Sequence, residues 1–177
     1  MMPTSYHESF LKKTSSLFNG IVISGIIYIV DEDDEIIDNV IFLEIGTDSV
    51  VGFYINGPNP FVTRNHIDEF DDFNLHASYE ILHEKKSNIL HPFKIEHMKV
   101  FFHPSYNEIV SIFLSSPDFS LSVFIVFSND EIYIYENCKE DGLIKILKNN
   151  LLQFGDLKFF IYQKNIYESG WNIVDAG

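Results

Sequence analysis

Apolar residues in this chain recur in short runs with a period of two, broken at brief intervals by turn-forming side chains. Over residues 95–103, Met98, Val100 and Phe102 alternate with His97, Lys99 and Phe101. Over residues 119–127, Phe119, Leu121, Val123, Ile125 and Phe127 make one strict alternating face. Successive side chains of a strand point to opposite faces, so this pattern demands strands with at least one buried side. The longer apolar runs at residues 21–30, 36–45 and 50–56 are rich in Ile, Val and Phe, which suit a pleated, half-buried surface. Ala, the strongest helix former, occurs only at Ala77 and Ala176.

Two segments switch to helical spacing. Phe10, Leu11, Thr14, Leu17 and Phe18 share one face of a helix expected over residues 5–18, with Ser5 and Glu8 as a capping box and Gly20 as a left-handed C-terminal cap. Leu143, Ile144, Leu147 and Leu151 form the stripe of a second helix over residues 139–152, with Asn137 and Glu140 expected at its cap. Further strands are expected over residues 75–84, 108–115, 131–136 and 157–163, with Asn129-Asp130 as a hairpin turn. Residues 58–73 and 85–92 read as loops. Short turns favour antiparallel pairing, because parallel strands need long crossovers. The expected fold is α+β: an antiparallel sheet of seven to nine strands, strongly curved or split in two, with one helix near each end. With 177 residues, 46% of them hydrophobic, the chain suits a single domain with a sizeable core.

Charge is the second informative feature. The 26 acids exceed the 12 bases, for a net charge of −14, which argues against a nucleic-acid binder with its basic footprint. From residue 19 to residue 80 there are 13 acids and one base, Arg64. Two clusters dominate. Asp31, Glu32, Asp33, Asp34, Glu35 and Asp38 form the first, and Asp68, Glu69, Asp71 and Asp72 the second, with Phe70 and Phe73 interleaved. Both fall in expected loops. Blocks of like charge repel and destabilise the compact state. They either keep the chain soluble or form a surface for a basic partner, with Phe70 or Phe73 as a buried anchor.

Catalytic patterns are missing. No GxSxG, Walker A, GxGxxG or HExxH occurs, and the acidic run at residues 31–35 lacks the glycine and the spaced glutamate of a calcium loop. His66 with Asp68 and Asp71 or Asp72 is the one spacing that suggests a metal set, and a solvated loop is the blander reading. Cys138 is alone, which excludes an internal disulfide, and Lys139 beside it is weak activation for a nucleophile. The chain therefore reads as a non-enzyme without metal or cofactor. No basic, then apolar leader precedes residue 8, and no apolar run approaches the roughly 20 residues of a membrane-spanning helix. A cytoplasmic location is the expectation.

In size, single-domain α+β character, acidity and lack of catalytic motifs the chain resembles the immunity proteins of bacterial toxin systems. It is most similar to those that guard against contact-dependent growth inhibition and related polymorphic toxins. The resemblance implies a protein that binds and neutralises a cognate toxin domain, with a basic nuclease the expected partner and no direct contact to nucleic acid or membrane. Two other classes fit the same residues. One is an acidic nucleic-acid mimic that inhibits a DNA- or RNA-binding protein. The other is a β-rich domain binding a small ligand among Tyr133, Tyr135 and His97.

Overall fold

The computed structural model describes residues 5–46, 49–64, 83–103, 107–151 and 159–175. An N-terminal helix α1 (Ser5–Phe18) leads into five strands: β1 (Val22–Val30), β2 (Ile36–Ile45), β3 (Ser49–Ile55), β4 (Pro60–Arg64) and β5 (His83–Lys94). Four more follow: β6 (His97–His103), β7 (Glu108–Ser115), β8 (Ser122–Ser128) and β9 (Glu131–Glu136). A single 3₁₀ turn (Glu140–Gly142) opens helix α2 (Leu143–Asn150), and β10 (Phe160–Asn165) and β11 (Asn172–Asp175) close the chain.

The strands form two antiparallel sheets, in the orders β4-β3-β2-β1-β5 and β11-β10-β6-β7-β8-β9. Their inner faces share one apolar core. Ile26, Leu43 and Phe53 come from the first sheet, and Val100, Ile112 and Ile125 from the second. Helix α1 adds Phe10, Leu11 and Phe18 to that core, and Phe18 stacks on Phe53 with ring centroids 5.9 Å apart. The outer face of the six-stranded sheet carries Phe101, Phe113 and Phe124, which α2 covers with Leu143 and Leu147. The outer face of the five-stranded sheet buries Ile27, Val40, Phe42 and Tyr54. Sheets buried on both faces read as continuous apolar runs. That explains the unbroken Ile and Val stretches of β1 and β2.

The antiparallel α+β architecture matches the sequence expectation, but the strands among the described residues number eleven rather than seven to nine. Helix α1 keeps its expected bounds, and Gly20 takes the left-handed φ of +69° that a C-terminal cap needs. Four expectations fail. Residues 85–92 are not a loop but most of β5, whose ladder with β1 jumps from Ile23↔Phe93 to Gly25↔Asn88. That bulge takes in His91 and Pro92; a proline has no N–H for the ladder and is tolerated where pairing breaks. Residues 60–64 form an edge strand, although two prolines nearby suggest a loop. β8 starts at Ser122, because Ser116, Asp118 and Ser120 close a hydrogen-bonded turn that holds Phe119 at φ +58°. Finally, Asn137 does not cap α2. It turns at φ +53° and donates its N–H to the Ser122 carbonyl, while Glu140 pairs with Lys99.

Candidate protein-binding surface

Strand direction places the short hairpin turns at two opposite ends of the sandwich. The β1–β2, β3–β4 and β8–β9 turns lie at one end, together with the start of β7. The two sheets are tied there. Asp130 Oδ1 accepts the Gly57 N–H at 2.6 Å, and Asn59 Oδ1 accepts the Ile109 N–H at 3.4 Å. Asn129 (φ +54°) and Asp130 (φ +62°) are both left-handed, the signature of the tight hairpin turn whose twist matches the flanking strands. Gly57 sits at φ +94°, a conformation that side chains rarely adopt.

The first acidic cluster is the β1–β2 hairpin at this end. Asp31 shapes it: its carboxylate accepts the N–H groups of Asp33 (3.0 Å) and Glu35 (2.9 Å), and its own N–H reaches the Glu35 carbonyl at 3.0 Å. Asp34 makes the reversal at φ +61°, a conformation Asp tolerates better than most residues. Asp31 is half-buried, whereas Glu32, Asp33, Asp34, Glu35 and Asp38 are exposed. None of the ion pairs among the described residues involves any of these acids.

Folding adds acids that the linear sequence keeps apart. Glu108, Asp130 and Glu131 reach the same end through β7 and the β8–β9 turn. Strand β9 lies against β2 and β3, which brings its outer edge beside the hairpin. The Tyr133 hydroxyl donates to Glu131, and with Asp38 also near, its pKa is pushed up to about 12. The hydrogen bond to Glu131 is the main cause, because it favours the neutral phenol. Tyr133 (36% exposed) and Ile36 (48%) thus present apolar surface among carboxylates. Alternation in the sequence flags Tyr133 as a strand residue, but only the packing of β9 against β2 joins it to the hairpin. The second cluster, Asp68, Glu69, Asp71 and Asp72 with Phe70 and Phe73, lies outside the described residues, as do His66 and most of the strand expected over residues 75–84.

Chemistry at the opposite end is self-satisfied. His97, Lys99, Phe119, Glu140 and Asn165 are among the residues lining a groove of about 240 Å³. His97 Nε2 lies 3.1 Å from the Pro117 carbonyl and so carries the proton, leaving Nδ1 to accept from Asn165 Nδ2 at 3.2 Å. Its ring stacks on Phe119 at 4.2 Å. With both nitrogens occupied, His97 has no lone pair to offer a substrate, and Lys99 is spent on Glu140. A ligand site among Tyr133, Tyr135 and His97 does not form, because β7 and β8 separate β6 from β9 and the space between the sheets is filled by core side chains. Burial pushes the Cys138 thiol pKa up, the reverse of an activated nucleophile. Among the described residues no three His, Cys, Asp or Glu side chains converge as a metal set. Nor is any described helix long and apolar enough to cross a membrane.

Comparison with known protein families, with curated proteins and with solved structures yields no significant match to this chain.

Proposed function

We propose that this protein is an immunity protein that binds and neutralises a basic toxin domain, a nuclease by expectation, through the acidic end of its sandwich. The observation that carries the reading is the convergence of Glu108, Asp130 and Glu131 with the exposed hairpin acids, beside exposed Tyr133 and Ile36. Nuclease surfaces are basic because they hold phosphate backbones. A rigid end dense in carboxylates competes for such a surface and steers encounter with it. Asp31, Glu32, Asp33, Asp34, Glu35 and Asp38 supply contacts on this reading, as do Asp68, Glu69, Asp71 and Asp72, with Phe70 or Phe73 as anchor.

Gathering of acids at one end favours this over a nucleic-acid mimic, which needs carboxylates spaced like phosphates along an extended face. The experiment is co-expression with a basic toxin domain, sought first in the gene immediately upstream. Growth is expected to be rescued by the native chain. The triple charge reversal Asp33→Lys, Asp34→Lys and Glu35→Lys should weaken both toxin affinity and its salt dependence. Unchanged affinity would remove the charge argument, and rescue without complex formation would remove the binding mode.

A further inference from the structure

The acidic end contains a concave site as well as a charged rim. A pocket of about 320 Å³ opens between the β3–β4 turn, the start of β7 and the β8–β9 turn. Ile55, Pro58, Ile109 and Phe127 give it apolar walls, and Glu108 and Asp130 supply two carboxylates. The volume is at the small end of ligand pockets, suited to one side chain rather than a cofactor. We propose that this pocket holds the arginine side chain of a basic protein partner, its stem against the apolar walls and its guanidinium between Glu108 and Asp130. The inference rests on the proposed immunity function and names the group that its acidic end captures.

Three observations support arginine. Its apolar stem and planar fork of donors match a site with hydrocarbon walls and carboxylates from two separate turns. Asp130 is fixed in place, since one oxygen accepts the Gly57 N–H and its backbone is locked in the tight hairpin turn. Glu108 is partly desolvated: burial pushes its carboxyl pKa up, and the charge of His103 only partly opposes this. A carboxylate partly held out of water gains from an incoming cation.

The test is an NMR titration of the full chain with Nα-acetyl-arginine amide, with the neutral Nα-acetyl-citrulline amide as isosteric control. Saturable shifts are expected at the amides of Gly57, Ile109, Asn129 and Asp130 with arginine only. Glu108→Gln and Asp130→Asn should each weaken binding about fivefold. Both are expected to fold: Gln needs no desolvated charge, and Asn keeps the acceptor for Gly57 and tolerates the left-handed turn. Asp33→Asn, Asp34→Asn and Glu35→Gln together should leave arginine binding unchanged. Equal shifts from citrulline, no saturable shift, unchanged binding in both pocket variants, or tighter binding of calcium at the same amides would each overturn the proposal. Loss of toxin neutralisation in the hairpin variant, with no arginine binding at the pocket, would sink this inference and leave the wider reading standing. Arginine binding with neutralisation unaffected by hairpin or pocket variants would mean the reverse.

Discussion

Asp118 does for the β7–β8 turn what Asp31 does for the acidic hairpin. One of its oxygens accepts from the Ser116 hydroxyl (2.7 Å), the Ser120 hydroxyl (2.7 Å) and the Ser120 N–H (3.1 Å). These bonds favour the ionised form and bring its pKa from 3.8 to about 2, with the Ser116 bond the largest cause. A carboxyl with a depressed folded pKa adds stability that is complete above 3.8 and disappears as the pH falls towards 2. Asp118→Ala should therefore lower the melting temperature at neutral pH and lose that difference near pH 2, as read by thermal unfolding across the range. His7 works with the same sign from the basic side. Burial lowers its pKa below 6.5, against a smaller opposing effect of a backbone hydrogen bond with Asn107. Above 6.5 the folded and unfolded chains are both neutral there; below it the unfolded chain binds the proton first. Stability should fall from pH 6.5 downward, and His7→Leu should flatten that limb of a plot of melting temperature against pH. At Gly57 the backbone itself is the constraint. With φ at +94°, Gly57→Ala should cost about 1–3 kcal/mol in chemical denaturation, and a cost below 0.5 kcal/mol would show that the turn relaxes freely.

At the level of elements, packing against both faces sets stability. Phe53 is fully buried between α1 and β8, stacked on Phe18 and tilted against Phe127. Phe53→Ala should cost about 3–5 kcal/mol. Strand β11 is the contrast: Ile173 is 57% exposed, so Ile173→Thr should stay within about 0.5 kcal/mol of the native chain. Legibility in the sequence follows the same division. Helix α1, β1, β2 and β3 were legible because amphipathic spacing or unbroken β-branched runs admit one reading, and turn residues bound them. Strand β5 was not, because Ser87, Asn88, His91 and Pro92 carry turn chemistry, and the pairing with β1 that overrides it is non-local. Strand β11 was not, because four residues with a single neighbour leave no periodicity to detect. The hairpin acids of the candidate site were visible as a run. Glu108, Asp130 and Glu131 were invisible as members of it, because strand direction alone decides which end they reach.

Across the whole molecule, nine of the described acids, the six of the hairpin with Glu108, Asp130 and Glu131, gather at one end, and that makes the two explanations of the charge separable. Charges that merely solubilise can sit anywhere; gathering them at one end adds mutual repulsion. The repulsion has a range of about 30 Å at 0.01 M salt and about 8 Å at 0.15 M. Raising the salt between these limits should therefore raise the melting temperature. Asp33→Asn, Asp34→Asn and Glu35→Gln together should raise it at low salt and reduce its salt dependence, since none of these acids has an ion pair among the described residues to lose. Solubility alone predicts nothing further from this variant. An interface predicts that the gain in stability comes with a slower encounter. Exposed charges at a rim act mainly on the association rate, so the triple variant should bind a basic toxin domain about tenfold more slowly at 0.05 M salt. Its dissociation should change much less, and the difference should narrow at 0.5 M. Equal association rates at low salt would return the acidic end to a solubilising role, whatever the gain in stability.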